Sequence, residues 1–413
     1  MNRAVATSAK PDRSGKVEIL IATAQWWPDV GGGLSRVATD LAYALADRGH
    51  SLTVIAPTAN ELPAHETHDS LTVHRVLPRG HLPATIGDVV FGRRFGRRLS
   101  AQSEIVIAHG PSPALGVARA LPQLPLLLVY HAPTEAELEI EMRSADMPWR
   151  RRARALALAK LTGEIERRAV SRATAIVVLS DFVRAALEAR HQFQGRVFQI
   201  PGGVDARRFA PADDRGLVRR RLGLMPEDAL IFTARRLQPR MGLANLIRAV
   251  AILRNECRLV LRIAGDGPLA PSLRRLITQL GLDDCVQLLG LVPDDELRDW
   301  YRAADVFVLP TVELEGFGMV TVEALACGTP VVGTPVGATP ELLTPLDPRL
   351  LAESSAPSDI AAAIRRTLQM PEDGFRERCR KYAMERFSWE VVAKQWEDVV
   401  MTVRGTTMPS RSR

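Results

Sequence analysis

Cysteine is scarce in this chain. Cys257, Cys285, Cys327 and Cys379 are the only four in 413 residues, and they form neither a C-x-x-C pair nor a metal-ligand spacing. A small fold held by disulfides is excluded, and a reducing cytoplasm suits the chain best. Long apolar runs are also missing. The first stretch, Val17 to Ala24, is short enough to be a strand, and none approaches the roughly 20 residues of a membrane helix. The chain is therefore expected to be soluble and cytoplasmic, or at most peripheral on the inner face of the plasma membrane. It has no D-x-D pair and no His/Asp ligand cluster, so no metal and no other cofactor is implied. Aromatic residues make up 5% and form no stacking run, and no nucleic-acid recognition motif is visible, so nucleic acid is not an expected partner.

What is present is enough apolar material for two cores. A chain of this length with 46% hydrophobic residues divides naturally into two α/β domains of about 200 residues each. The 54 Lys plus Arg against 47 Asp plus Glu leave a net charge of +7, which favours phosphate-bearing or anionic partners without choosing among them.

Short β-branched runs alternate with helical patterns throughout, the signature of parallel sheets built from βαβ units. Strands are expected at Val17–Ala24, Ser51–Pro57, Leu71–Leu77, Glu104–Gly110, Leu126–His131, Ala175–Ser180 and Val197–Pro201. A second series is expected at Leu230–Ala234, Leu259–Gly265, Val286–Leu291, Val306–Pro310 and Pro330–Gly333. The expected organisation is a tail over 1–15, a first Rossmann-like domain over 16–205 and a second over 206–387. A last helix over 388–404, with Trp389, Val392 and Trp396 on one stripe, would pack back on the first domain, and 405–413 is a second tail. Open parallel sheets bind ligands beyond the carboxyl ends of their strands, so the residues at those ends carry the functional argument.

The most informative segment runs from Leu309 to Pro330 and reads as strand, glycine-bearing loop and helix. Gly316 and Gly318, flanking Phe317, let backbone approach a ligand closely. The amides of Met319 and Val320 lie at the helix start, where the macrodipole favours an anion. Glu323, one turn in, has two oxygens able to accept from vicinal hydroxyls such as those of a ribose. Glu315, at the strand end, can accept from sugar hydroxyls. By their bare spacing alone the two glutamates read as a cap and a surface charge, and it is the glycine and strand context that favours the functional reading. Arg236 ends the first strand of the second series and offers a planar fork suited to phosphate. Gly33 sits where a glycine-rich turn opens a helix in the first half, and read without the second domain it is equally a tight turn. His131 and His109 end neighbouring strands and face the same crevice.

The block Glu315 to Glu323 resembles the E-x7-E motif of retaining glycosyltransferases, and the flanking Ala324-Leu-Ala-Cys-Gly-Thr-Pro-Val-Val-Gly-Thr resembles glycosyltransferase family 4. The likeness extends along most of the chain. Thr233 to Gly242 resembles the family's G-R-L-x-x-x-K-G, Ile263 to Pro268 its V-G-D-G-P, Ile200 to Asp205 its P-N-G-V-D, Pro28 to Gly33 its glycine loop, and Val129-Tyr-His131 its T-x-H. The resemblance implies a GT-B fold and a retaining, metal-independent transfer of a hexose-type sugar. The donor would be a nucleotide-sugar, UDP- or GDP-linked. The acceptor hydroxyl would belong to a saccharide, a lipid-linked carrier or a small metabolite.

By that resemblance His131 and Glu315 handle the donor sugar. Arg236, Arg240 and the amides of Gly33, Met319 and Val320 meet the diphosphate, within a donor site that also includes Gly316, Phe317 and Gly318. Val292 holds the nucleobase through its backbone and Glu323 takes the ribose, while His109 only lines the crevice. Two positions depart from the pattern: Arg235 stands for a glycine and Met241 for the K-G lysine, and Arg240 is expected to reach the oxygen the lysine would meet. Met241 motivates an alternative reading, a non-catalytic nucleotide-sugar-binding subunit of a glycosylation complex. Finally, Phe91, Phe95 and Leu99 lie beside Arg93, Arg94, Arg97 and Arg98, and a second basic run spans Arg150 to Arg154. The first pattern suits an ordinary amphipathic helix on its own sheet, or one resting on an anionic membrane that presents a lipid-linked acceptor.

Overall fold

The computed structural model describes residues 15–28, 32–57, 63–76, 89–90, 93–94, 102–142, 149–256, 258–371 and 374–405. Its first sheet contains β1 (Glu18–Thr23), β2 (Ser51–Pro57), β3 (His65–His68), β4 (Leu71–Val76), β5 (Ile105–His109), β6 (Leu126–Tyr130), β7 (Ala175–Val178) and β8 (Arg196–Gln199). Their order is β3-β4-β2-β1-β5-β6-β7-β8, parallel throughout except that β3 pairs antiparallel with β4. The second sheet contains β9 (Ala229–Ala234), β10 (Leu259–Ala264), β11 (Val286–Gly290), β12 (Val306–Leu309) and β13 (Val331–Gly333). It is parallel, in the order β11-β10-β9-β12-β13.

The interior strands β5 and β6 are buried at every position. Their sequences are unbroken apolar runs rather than alternations, as befits strands covered by helices on both faces. Every strand read from the sequence is present, with its ends shifted by two residues at most. The strand the sequence did not disclose is β3, His-Glu-Thr-His, a largely exposed edge with no apolar face to betray it.

Register fixes where the strands end. Thr23 of β1 lies opposite His109 of β5, and His109 opposite Val129 of β6, so both histidines emerge at one end of the first sheet. In the second sheet Ala234 of β9 lies opposite Ala264 of β10, which puts Arg235 and Arg236 at the corresponding end of that sheet.

The chain passes between the two sheets twice, and the crossings lie side by side. Val204 N donates to Phe387 O at 2.7 Å and Trp389 N donates to Val204 O at 3.3 Å. After the second crossing, helix Trp389–Arg404 buries Val392, Ala393, Trp396, Val399, Val400 and Val403 and packs on helix Gly33–Asp47 of the first lobe. His50 reinforces the join by meeting Glu397 at 3.1 Å. Truncating a buried Trp to Ala typically costs about 3–5 kcal/mol, so the Trp396 anchor ties the chain's last helix firmly to its first lobe.

Of the basic clusters, Arg93 and Arg94 are exposed, while Phe91, Phe95, Arg97, Arg98 and Leu99 lie outside the described residues. Arg150 opens helix Trp149–Val170. No helix among the described residues is long and apolar enough to cross a membrane.

Candidate active site

The carboxyl ends of the two sheets face one another, and glycines mark where the lobes touch. A Cβ on Gly316 would lie 2.6 Å from the carbonyl oxygen of His131, so only a glycine allows that approach. Ser180 Oγ, at the end of β7, donates to Gly316 O at 2.7 Å. Beside it, Glu341 accepts from the amides of Asp181 and Phe182, each at 2.8 Å. Those amides open helix Asp181–Arg190 of the first lobe, so the second lobe supplies an acidic cap to a helix that is not its own.

On the other side of the cleft, Gly32 precedes helix Gly33–Asp47 with φ 138°. A Cβ there would come within 3.0 Å of Arg236 Nη2, and one on Gly33 would meet Met319 Cγ at an ordinary 3.6 Å. The structure thus brings together Gly33, Arg236 and Met319 at the start of helix Met319–Ala326. The glycine that this arrangement demands is Gly32, whereas Gly33 contributes its amide as the first residue of the helix. Asp29, Val30 and Gly31, earlier in the same loop, lie outside the described residues.

The first amides of helix Met319–Ala326, those of Met319 and Val320, have no carbonyl partner within their own helix. Gly318 holds φ 86° at its N-cap, and a Cβ on it would lie 3.7 Å from the Glu315 carboxyl carbon. Phe317 is buried. Its ring stacks edge-on against Phe387 and closes on Gly202 at the interlobe crossing, which makes it a packing residue under the loop.

Glu315 is 8% exposed. Its Oε2 accepts from Arg235 Nη2 at 2.6 Å and from Thr311 Oγ1 at 3.0 Å. Glu323 is buried and accepts from the Tyr301 hydroxyl at 2.8 Å. Burial, then the neighbouring Glu323, drives the Tyr301 hydroxyl well above its ordinary value and keeps it a donor. Val292 is half-buried just beyond β11, next to Leu291, which is 80% exposed. Arg240 turns to the loop, donating through Nη1 to Leu314 O at 2.8 Å. It braces the segment in which Leu314 takes a strained φ of 57°.

His131 and His109 meet directly: His109 Nδ1 lies 3.3 Å from His131 Nε2. His109 Nε2 is buried with no partner among the described residues. A buried N–H without an acceptor costs more than a buried lone pair, so the proton belongs on His109 Nδ1, donated to His131 Nε2. His131 then carries its own proton on Nδ1. Burial pulls the His131 imidazole down to about 4. His109 is held well below its ordinary value by burial, then by charge on His131. Both rings are neutral near pH 7.

Beneath them Glu166 is buried. It accepts from Tyr130 Oη at 2.7 Å and from Thr134 N at 2.9 Å, and meets His191 at 2.8 Å. Burial raises this carboxyl, but the hydrogen bonds from His191, Tyr130 and Thr134 outweigh it and its pKa is lowered overall. An ionised Glu166 thereby fixes the turn that presents His131.

Sequence reasoning missed a charged cluster on the same helix as Gly33. Arg36 donates through Nη2 to Asp294 at 2.9 and 3.1 Å and lies 4.2 Å from the Trp27 ring centroid. Arg208, just after the interlobe crossing, also pairs with Asp294. Asp40, one turn beyond Arg36, is pushed up to about 6 by burial, against the lowering effect of Arg36 and Arg208. The only signal for this cluster in the sequence is the four-residue spacing of Arg36 and Asp40, which is common on any solvated helix. A separate cavity of about 750 Å³ lies at the opposite, amino ends of β9, β10 and β12, among Arg215, Asp305 and Arg365. It shares no residue with the cleft.

Comparison with known proteins agrees with this geometry. Residues 31–208 match Glycosyltransferase Family 4 and residues 214–386 match Glycosyl transferases group 1. A D-inositol 3-phosphate glycosyltransferase of Nocardioides sp. is 30% identical over 408 residues, 90% of this chain and 86% of that protein. The D-inositol 3-phosphate glycosyltransferase of Streptomyces bingchenggensis is 37% identical over 210 residues, 48% of this chain and 46% of the relative, so that match spans about half its length. Among solved structures, sucrose-phosphate synthase from Thermosynechococcus elongatus superposes with TM-score 0.78 at 21% identity, covering 94% of this chain and 99% of that one. Anabaena HepE in complex with UDP superposes with TM-score 0.71 at 20% identity, covering 93% and 100%. These structural likenesses establish the GT-B arrangement of two facing parallel-sheet lobes. With two family profiles in tandem and a relative aligned over nearly its full length, the chain belongs to the glycosyl transferases group 1, glycosyltransferase family 4.

Proposed function

We propose that the protein is a retaining hexosyltransferase that uses a UDP- or GDP-linked sugar and needs no metal. The observation that carries this reading is the convergence of the Arg236 guanidinium, the Gly32–Gly33 turn and the first amides of helix Met319–Ala326 at one point of the cleft. A glycosyl transfer is limited by charge: the nucleoside diphosphate leaves as an anion while the sugar becomes oxocarbenium-like. Fixed cations and amides at the leaving phosphates lower that barrier, and here they take the place a metal would fill.

In the proposed reaction the bond from the anomeric carbon to the diphosphate oxygen breaks. The acceptor hydroxyl bonds to the anomeric carbon on the same face, and its proton passes to the departing phosphate. No side-chain nucleophile is required. His131, neutral and with its Nδ1–H available, and Glu315 contact the donor sugar; Glu323 takes the ribose and the backbone of Val292 the base. The names of the relatives favour a phosphorylated polyol among the small-metabolite acceptors. Saccharide and lipid-linked acceptors, the latter reached through anionic membrane contact, are tested beside it. Closure of the lobes pivots on the paired crossings at Val204 and Trp389.

A thermal-shift screen against UDP, GDP, ADP and their sugar conjugates, with and without EDTA, tests the reading. A ligand at about 100 times its dissociation constant stabilises by about 2.7 kcal/mol. A shift with one nucleotide that survives EDTA, followed by transfer to an inositol phosphate with the donor's anomeric configuration kept, supports it. No shift with any nucleotide refutes it. A shift without transfer to any acceptor class favours instead the binding subunit suggested by Met241.

A further inference from the structure

Two residues break the G-R-L-x-x-x-K-G pattern of the second lobe, Arg235 and Met241, and the fold places them in contact. Arg235 Nη2 lies 3.0 Å from Met241 Sδ. The same guanidinium donates to Thr311 Oγ1 at 2.9 Å and to Glu315 Oε2 at 2.6 Å. Its side chain is 6% exposed, and Met241 is buried beside it. The carboxyl it holds stands next to Gly318, the N-cap of the helix that offers its amides to the cleft.

We infer that Arg235 carries the cation that Met241 lacks, so that the charge of the donor subsite has moved from position 241 to position 235. This rests on the nucleotide-sugar reading given above. The argument is steric and electrostatic. A lysine at 241 would end two bonds beyond the level of Sδ, which itself lies 3.0 Å from Arg235 Nη2, so its ammonium would come close to the Arg235 guanidinium. Lysine at 241 and arginine at 235 would then set two cations against each other in a buried site, which is strongly unfavourable. With a thioether at 241 the guanidinium has a soft, neutral neighbour to lie against. With arginine at 235 the lost ammonium is replaced by a group that is always charged. Either change alone is a defect, and together they conserve the charge. Of the other two cations in the segment, Arg240 donates to Leu314 O and Arg236 reaches towards Gly32.

The test measures binding of UDP and GDP, and of uridine and guanosine, to the full-length protein and its variants. In R235M the affinity for the nucleoside diphosphate that the wild type binds should fall by at least ~10-fold, while that for its nucleoside changes by less than ~3-fold. The swap R235G/M241K, which returns the charge to position 241, should restore diphosphate affinity to within ~3-fold of wild type. Because R235M leaves Glu315 buried without its cation, R235K is measured beside it and should retain most of the diphosphate affinity. M241K alone should lower the melting temperature by crowding two cations. Undiminished diphosphate binding in R235M, or no recovery in R235G/M241K relative to R235G, overturns the inference while leaving the donor reading intact. A wild type that binds no nucleoside diphosphate overturns the donor reading and this inference with it.

Discussion

Gly316→Ala is the substitution that most directly tests whether the lobes must meet as the structure has them. The φ of Gly316 is not in the left-handed region, so alanine fits the local backbone and the only obstacle is across the cleft. The new Cβ would lie 2.6 Å from His131 O, against about 3.3 Å for the closest ordinary carbon–oxygen approach. The two loops must separate by about 0.7 Å or absorb an overpacking cost of about 1–3 kcal/mol. Ser180 and Glu341 hold those same loops together, so the strain falls on closure. The fold of either lobe should be spared.

A misplacement of reacting groups by about 1 Å can cost about 100-fold in rate. Turnover in G316A should therefore fall roughly 10- to 100-fold, while binding of the nucleotide to the second lobe changes far less. Nucleotide release under saturating donor and acceptor measures the first quantity and thermal shift with the nucleotide the second. Small-angle scattering should show a larger radius of gyration with nucleotide bound than for the wild type. Turnover within about threefold of wild type would refute the reasoning, because the cleft would then tolerate a contact that the geometry forbids.

The other predictions concern charge and capping. Arg236→Ala should lower kcat/KM at least ~30-fold, about 2 kcal/mol of transition-state stabilisation, with nucleoside affinity unchanged; a loss below about threefold would contradict its placement at the leaving phosphate. The histidine pair should make stability fall with acid. For His131, depressed from 6.5 to about 4, the contribution is complete above about pH 6.5 and is lost as pH falls towards 4, up to about 3 kcal/mol. His109 adds to the loss in the same direction, so the pH slope of the denaturation midpoint over that window should flatten in H109Q/H131Q, and an unchanged slope would disprove the coupling. Removing the interlobe cap with E341A orphans two amides and should cost about 1–2 kcal/mol by chemical denaturation; a loss below about 0.3 kcal/mol would show that the contact is idle.

The sequence by itself determined both sheets and the approximate place of the cleft. Apolar runs such as Ile105–His109 and Leu126–Tyr130 bury every side chain, so their hydrophobicity alone announces them. The strand–glycine–helix order around Glu315 and Glu323 disclosed a helix start with unpaired amides at the cleft, because a glycine N-cap after a strand is readable without any partner from elsewhere. β3 stayed hidden because an exposed polar edge strand has no pattern to read.

Only the tertiary structure decided which cation stands where. Arg235, Arg236 and Arg240 are close neighbours in sequence, yet one pairs with Glu315, one reaches towards Gly32 and one turns back to Leu314. Residues beyond a strand end follow no fixed period, so side-chain direction there is set by what the other elements place within reach. For the same reason the Gly316–His131 approach, the Glu341 cap and the Arg36–Asp294 pair were invisible in the sequence. Each joins residues more than a hundred positions apart, and it exists only because two lobes, each legible by itself, close on one another.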